Sequence, residues 1–525
     1  MTVKPFDLFI IGGGVNGCGV ARDASGRGLR VGLAEMNDLG SATSSASTKL
    51  FHGGLRYLEF FEFNLVRESL EEREILLRAM PHISWPMRFV LPYAPGMVFD
   101  PTTPLSRGLR FLMPWLAGRR PAWLIRAGLF LYDHMGGREI LPGTRRVDLD
   151  RDPVGVPLRK EFTRAFEYSD CWVDDARLVV LNAVDAYQRG ATIMPRTKVI
   201  QALRVEEKKP MWEIHTQHEN GSKQVFYARV LVNAAGPWVT KVIGQLAQQD
   251  GQETRADTIR LVRGSHIITH KLFNHPKSYF FLGEDGRIVF AIPYLKDYTL
   301  IGTTDVPHES PDEPAVCSPW ERDYLCAAVS RYLHRPVEKR DIIATYSGVR
   351  PLYEDGAVSA TAASRDYFLR LDDAPGAPLL TIYGGKITTY RRLAQAVLTS
   401  LEQYFPAMGP AWTGQGAPLP GGDFPVDGFA NLVDDLASAY PFAARQLLAR
   451  LARTYGTMAH QVLAGAKTKE DLGAYFGADI YARELDWSKR HEWVVTAQDF
   501  TQRRTKTHLW LEEAQMRAID AYLQS

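Results

Sequence analysis

The chain opens on a strand that runs straight into a glycine turn, Asp7-Leu8-Phe9-Ile10-Ile11-Gly12-Gly13-Gly14-Val15-Asn16-Gly17. The apolar run Leu8 to Ile11 reads as a buried parallel strand, and Gly12, Gly14 and Gly17 follow at G-x-G-x-x-G spacing. In such a unit the first glycine permits the tight turn and the second lets backbone approach a pyrophosphate. The third lets the helix pack close on the strand. The helix that starts here turns its unbonded N–H groups and the positive end of its dipole toward the phosphates. A second strand, Arg30 to Ala34, ends in Glu35, eighteen residues beyond Gly17, where a carboxylate can accept from the hydroxyls of an adenosine ribose. Glycine triplets also occur in purely structural turns. The strand before, the helix after and the acid downstream together specify a dinucleotide site.

At 525 residues the chain is too long for one ordinary core, and two or three domains are expected. Its 62 basic and 60 acidic residues leave a net charge of +2, too little for a global field toward nucleic acid, so no nucleic-acid partner is expected. Cys18, Cys171, Cys317 and Cys326 form no C-x-x-C pair, which predicts neither a disulfide framework nor a metal site and suits a reducing cytosol. The first strand begins a few residues after Met1, which predicts no signal or transit peptide. No apolar run approaches the length of a membrane span.

Beyond the opening βαβ unit lie a Ser/Thr-rich loop, Ser41 to Lys49, and the run His52-Gly53-Gly54-Leu55-Arg56-Tyr57. Val66, Leu70, Leu77 and Met80 follow at helical spacing and stop at Pro81. Alternating, strand-like patterns run from Thr192 to Val232 and from Arg260 to Thr304. A Pro/Gly-rich stretch, 406–428, reads as a linker, and Leu447, Leu448, Leu451 and Tyr455 mark a helix capped by Gly456. The expected fold is mixed α/β and α+β: a Rossmann-like dinucleotide-binding domain, a second, β-rich domain and an all-α C-terminal domain. The dinucleotide-binding part is placed at about 1–80, 160–250 and 340–405 of a 1–405 region. The second part takes about 81–159 and 251–339, and the helical domain 429–525.

Two later segments favour FAD over a nicotinamide. Asn233-Ala234-Ala235-Gly236-Pro237 ends a strand with small residues against which a cofactor can lie. Tyr383-Gly384-Gly385-Lys386-Ile387-Thr388-Thr389 is a glycine turn opening another helix, whose dipole stabilises negative charge on a reduced flavin. Thr43, Ser44, Ser45 and Ser47 offer small side chains and N–H groups to the pyrophosphate and ring edge. Gly54, Ala235, Gly236, Gly385 and Thr388 complete the expected cofactor set.

On these motifs, together with Thr43 to Leu50, His52 to Leu58, Phe166 to Cys171, Gly264-Ser265-His266, Ile301 to Asp305 and Tyr346 to Leu352, the chain resembles the FAD-dependent aerobic glycerol-3-phosphate dehydrogenases of bacteria over nearly its whole length. The resemblance implies oxidation of sn-glycerol 3-phosphate to dihydroxyacetone phosphate and electrons passed to a membrane quinone. It further implies a peripheral, monotopic enzyme on the cytoplasmic face of the inner membrane. No calcium loop of the D-x-[DN]-x-[DN]-G type is present.

A polyol phosphate offers charge and little apolar surface, so cations must recognise it, and arginine forks onto phosphate oxygens. Arg56, Arg350 and Lys386 lie within otherwise uncharged motifs, Arg350 with few sequence-neighbouring acids to pair with; Arg365 and Tyr57 join them as substrate-binding candidates. The C2 hydroxyl must lose a proton as its hydride leaves, and His266 and His52 are the candidate bases, with Arg350 or Lys386 able to share the task. Which group takes the proton stays open. From Pro101 to Tyr132 there is no acid, but Arg107, Arg110, Arg119, Arg120 and Arg126 are interleaved with Trp, Phe and Leu. This pattern is read as a monotopic anchor on anionic lipid, the alternative being a buried helix pair whose arginines line its solvent face. The competing functions are a glycerol-3-phosphate oxidase giving electrons to O2, an amino-acid oxidase of the same broad fold, and a non-catalytic flavoprotein. Oligomeric state is left open, a homodimer among the possibilities.

Overall fold

A computed structural model describes residues 4–93, 103–112, 121–206, 209–250, 258–283, 285–353, 366–373, 376–414 and 416–525. The opening strand, Phe6–Ile11, sits at the centre of a parallel array with Val31–Ala34 and Thr192–Met194 on one side and Lys223–Asn233 and Leu379–Gly384 on the other. Leu8, Phe9 and Ile10 are fully buried, as strands covered on both faces require. Helix α1 (Val15–Gly26) follows at once. Gly12 turns the chain with φ +111°, and a Cβ there would lie 2.5 Å from the Ala234 carbonyl oxygen. The hairpin Thr197–Glu206 and Pro210–His218 extends this sheet from Lys223–Asn233, and Tyr367–Asp372 closes its other edge.

A second, largely antiparallel sheet runs in the order Val306–Pro307, Ile259–His270, Tyr298–Gly302, Ile288–Tyr294, Ser278–Leu282, Ser84–Tyr93, Arg164–Val173, Leu50–Phe51. Ile342–Tyr353 pairs with Ile259–His270 along its whole length. This corrects the expected division of the chain: 164–173 and 342–353, assigned to the cofactor part, belong to the second sheet. Arg164–Val173 is almost wholly buried and Ile342–Tyr353 only partly so, and a strand's own residues do not tell which sheet it joins. Helices α2 (Phe63–Ala79), α3 (Pro104–Leu112) and α4 (Ala122–Met135) gather around a short 3-10 turn, Leu55–Phe60. Helix α5 (Asp175–Gln188) packs on α1.

The segment 406–428 is no loose linker. The Thr413 N–H and hydroxyl bond Asp23 (2.8 and 2.9 Å), Arg22 bonds the carbonyls of Ala417 and Pro418, and Leu419 is buried. Its Pro/Gly content shapes a strap pinned to α1. The C-terminal domain is helical, as with Arg445–Tyr455 ending at Gly456, but is not all-α: Tyr475–Gly477 pairs with Ile480–Tyr481. It docks through buried ion pairs, Arg503 and Arg504 on Asp38 (2.5 and 2.6 Å) and Arg177 on Glu492 (2.7 Å).

Candidate active site

One continuous cleft runs between the two sheets. It is lined by Glu35, Lys198, Val199, Gly12, Gly14, Ser44, Ala235 and Gly236, and also by His52, Arg56, Tyr57, His266, Arg350 and Lys386. The Gly13 N–H donates to Glu35 Oε2 (2.7 Å) and the Asn37 N–H to Oε1 (2.8 Å), which fixes the carboxylate and leaves each oxygen a lone pair for a ribose hydroxyl. Burial pushes the Glu35 carboxyl up from its ordinary range, against the pull of those two N–H groups. The Ser44 hydroxyl caps the start of α1 by accepting from the Val15 N–H (3.0 Å). Thr43, Ser47, Gly54, Gly385 and Thr388 also line the cleft. Gly17 lies behind the turn, packed on the Gly12 carbonyl. The Ser45 hydroxyl turns back to the Ala42 carbonyl (3.4 Å) and is not among the cleft-lining groups. Ser47 is committed inward, giving both its N–H (3.1 Å) and its hydroxyl (2.7 Å) to Asp175. Arg365 lies outside the described residues.

The wall that carries His266 and Arg350 is built by strand register. Val262 pairs with Arg350, Gly264 with Gly348 and His266 with Tyr346, so the alternate residues of both strands face the cleft side together. Gly264 makes room for Arg350: a Cβ there would lie 2.4 Å from a guanidinium nitrogen. The guanidinium donates to Thr303 Oγ1 (3.2 Å) and to the carboxylate of Asp305. The expectation of few acids near Arg350 is therefore corrected, because Asp305 is distant in sequence and meets it only through the sheet. Lys386 Nζ stands 4.0 Å from the ring centre of Tyr57, a cation–π contact between the glycine turn and the Leu55–Phe60 turn.

His266 is 1 % exposed and stacks on Tyr346, with ring centres 4.7 Å apart and planes 14° from parallel. Its Nε2 lies 2.9 Å from the Thr48 hydroxyl, and Nδ1 is buried without a partner among the described residues. Burial, then the positive charges of Arg350 and Lys49, hold its pKa well below the usual imidazole value, so the ring is neutral at pH 7. His52 also lines the cleft, edge-on to Phe290. Asp170 lines it as well, bound by Arg73 and Tyr132 (both 2.7 Å), and burial pushes its carboxyl up to about 6 against the Arg73 charge. Sequence reasoning assigned no role to Thr48, Asp170 or Asp305, although each stands inside a quoted motif. Their partners lie 218, 97 and 45 residues away.

A glycine turn at a helix N-terminus, a fixed acid on the cleft wall and a second helix start at Thr388 fit an adenine dinucleotide carrying a flavin. The fold and cleft define an FAD-dependent oxidoreductase, and the FAD dependent oxidoreductase family model matches residues 7–391. A model described as the C-terminal domain of alpha-glycerophosphate oxidase matches 413–524. The chain belongs to the FAD-dependent glycerol-3-phosphate dehydrogenase family. It is 46 % identical over 521 residues to a glycerol-3-phosphate dehydrogenase of Pseudomonas aeruginosa, covering 99 % of this chain and 95 % of that one. It is 48 % identical over 514 residues to a D-erythritol 1-phosphate dehydrogenase of Brucella abortus, covering 98 % and 96 %. The glycerol-3-phosphate dehydrogenase of Bacillus halodurans, solved with FAD, superposes with a TM-score of 0.71 at 26 % identity, covering 100 % of this chain and 92 % of that one.

Proposed function

We propose that the protein oxidises sn-glycerol 3-phosphate at C2 to dihydroxyacetone phosphate and passes the electrons to a membrane quinone. The observation that carries this reading is that Arg56, Arg350 and Lys386 line the same cleft as His266. Three cations suit a phosphate dianion and an alcohol oxygen that gains negative charge as it reacts. Bound FAD supplies the hydride acceptor. The chain's own part is to grip the phosphate and to take the hydroxyl proton. In the tautomer that gives Nε2–H to Thr48, His266 keeps an unshared pair on Nδ1, a buried acceptor suited to that hydroxyl. The relatives' names agree with this substrate class.

A second substrate is favoured by one observation, the 48 % identity to a D-erythritol 1-phosphate dehydrogenase. That compound offers a phosphate and secondary hydroxyls to the same cations. Anaerobic addition of each phosphate to the FAD-loaded protein decides: glycerol 3-phosphate is expected to bleach the yellow absorbance. Bleaching only by D-erythritol 1-phosphate would move the assignment to the longer polyol, and bleaching by neither would end the reading. Reoxidation by a quinone analogue in preference to O2, with little peroxide formed, separates a dehydrogenase from an oxidase.

We further place the protein on the membrane surface through α3, α4 and the turn they pack on. No helix among the described residues is long and apolar enough to cross a bilayer. Phe61, Phe63, Phe111, Trp123 and Phe130 are nevertheless exposed on these neighbouring elements, Phe111 by 88 %. Rings of this kind beside arginine side chains suit the headgroup region of anionic lipid. The protein should sediment with anionic liposomes at low salt and much less with neutral ones, and protein that stays in the supernatant in both cases would reject the anchor.

A further inference from the structure

Lys506 of the C-terminal domain meets the helix start that holds the 47–49 loop beside the cleft. Lys506, 4 % exposed, adopts a left-handed backbone conformation (φ 55°) and directs its ammonium to the Asp174 carboxylate, with Asp175 Oδ1 at 3.6 Å. Asp175 is fully buried and anchors the loop ahead of the second sheet. It accepts from Lys49 Nζ (2.8 and 2.9 Å) and from the N–H and hydroxyl of Ser47. Lys49, also left-handed (φ 60°), donates to the Ser45 carbonyl (3.0 Å) and lies 4.9 Å from the ring centre of Tyr346. Between Ser47 and Lys49 stands Thr48, whose hydroxyl meets His266 Nε2, while the Tyr346 hydroxyl donates to the Ser47 carbonyl (2.8 Å) and its ring carries His266.

Two ammonium groups and two carboxylates thus form a balanced quartet, buried but for Asp174, whose side chain is 19 % exposed. Removing one member leaves uncompensated charge where water does not screen it, and the quartet resists this only by shifting its members. Of the four, Lys49 belongs to the loop whose Thr48 meets His266, whereas Asp174 and Asp175 are fixed at the start of a helix. We propose that Lys506 is a positioning residue for His266: the C-terminal domain, through the Asp174–Asp175–Lys49 quartet, sets the 47–49 loop and with it the Thr48–His266 contact. The inference rests on the reading of His266 as the base. Its logic is that of a supporting shell, since a displacement of about 1 Å at a reacting group costs as much as 100-fold in rate.

Lys506→Met is the test, made on the FAD-loaded full chain. The domain should stay docked, because Arg503 and Arg504 still hold Asp38 and Arg177 still holds Glu492. FAD content should be unchanged, while the maximal rate of flavin reduction by glycerol 3-phosphate falls about tenfold with little change in the substrate concentration needed for half that rate. In a Thr48→Val background the same change should add less than about twofold, since both variants break one path. A crystal structure of Lys506→Met should show the Thr48–His266 hydrogen bond lost. Asp174→Asn keeps an acceptor for the Arg177 N–H and removes the anion facing Lys506. It is the second variant should Lys506→Met not fold, with a smaller loss in the same direction. A wild-type reduction rate in both variants, or a Thr48–His266 bond retained in the crystal, overturns the proposal. If the wild-type flavin itself is not bleached, the functional reading fails, and the crystallographic comparison still decides this one.

Discussion

Replacing Arg350 with alanine should lower kcat/KM for glycerol 3-phosphate about 1,000-fold, or about 4 kcal/mol, while the purified protein keeps its FAD. The two consequences separate because Arg350 is on the strand Ile342–Tyr353, outside the glycine turn and the Gly13–Glu35 contact that suit the dinucleotide. Arg350 is preorganised. Its strand is locked in register with Ile259–His270, the absent Cβ of Gly264 gives its guanidinium room, and Thr303 and Asp305 hold the fork. On the proposed reading, alanine removes a phosphate donor and also leaves the Asp305 carboxylate without its guanidinium partner beside an anionic substrate. Part of the loss is then repulsion, so adding Asp305→Asn to Arg350→Ala should recover several-fold of the activity. Arg350→Lys should recover only a fraction, because an ammonium is a point charge without a fork. The check is steady-state turnover with a quinone analogue, with flavin content read from absorbance. Turnover near wild type in Arg350→Ala would remove this residue from the site.

What the sequence disclosed and what it hid divide along contact range. The opening strand, Gly12, Gly14, Gly17 and Glu35 were legible because the dinucleotide turn is local: every member lies within thirty residues and each has a chemical reason for its type. The amphipathic α2, the strand-rich stretches and Gly456 as a cap were legible for the same reason. The sheet to which 164–173 and 342–353 belong was not. Only long-range pairing with Ser84–Tyr93 and Ile259–His270 decides it. The cations were found as residues, yet their company was not. Asp305 on Arg350, Thr48 on His266 and Lys506 beside Asp175 are contacts across 45, 218 and 331 positions, and no local pattern encodes them. The strap at 406–428 shows the same limit: proline and glycine predict irregular backbone, and buried Asp23 and Arg22 decide that it is bound rather than loose.

Replacing His266 with glutamine should reduce kcat by about 100- to 1,000-fold, the usual contribution of a positioned base, again with FAD retained. Glutamine can still bond Thr48, so the loop should stay in place and the loss should report the missing proton acceptor. The pH dependence gives an independent sign. An ordinary imidazole would protonate as pH falls through about 6.5 and activity would fall with it. Here burial, with the Arg350 and Lys49 charges beside it, opposes protonation, so the neutral form persists below that value. In the wild type kcat at saturating substrate should therefore stay level as pH drops past 6.5 and decline only in more acidic buffer. The substrate phosphate has its own ionisation near pH 6, which enters kcat/KM, and for that reason kcat is the quantity to follow. An acidic limb in kcat centred at 6.5 or above, or a glutamine variant within a few-fold of wild type, would exclude His266 as the base. The proton would then pass to His52, the other imidazole on the cleft wall.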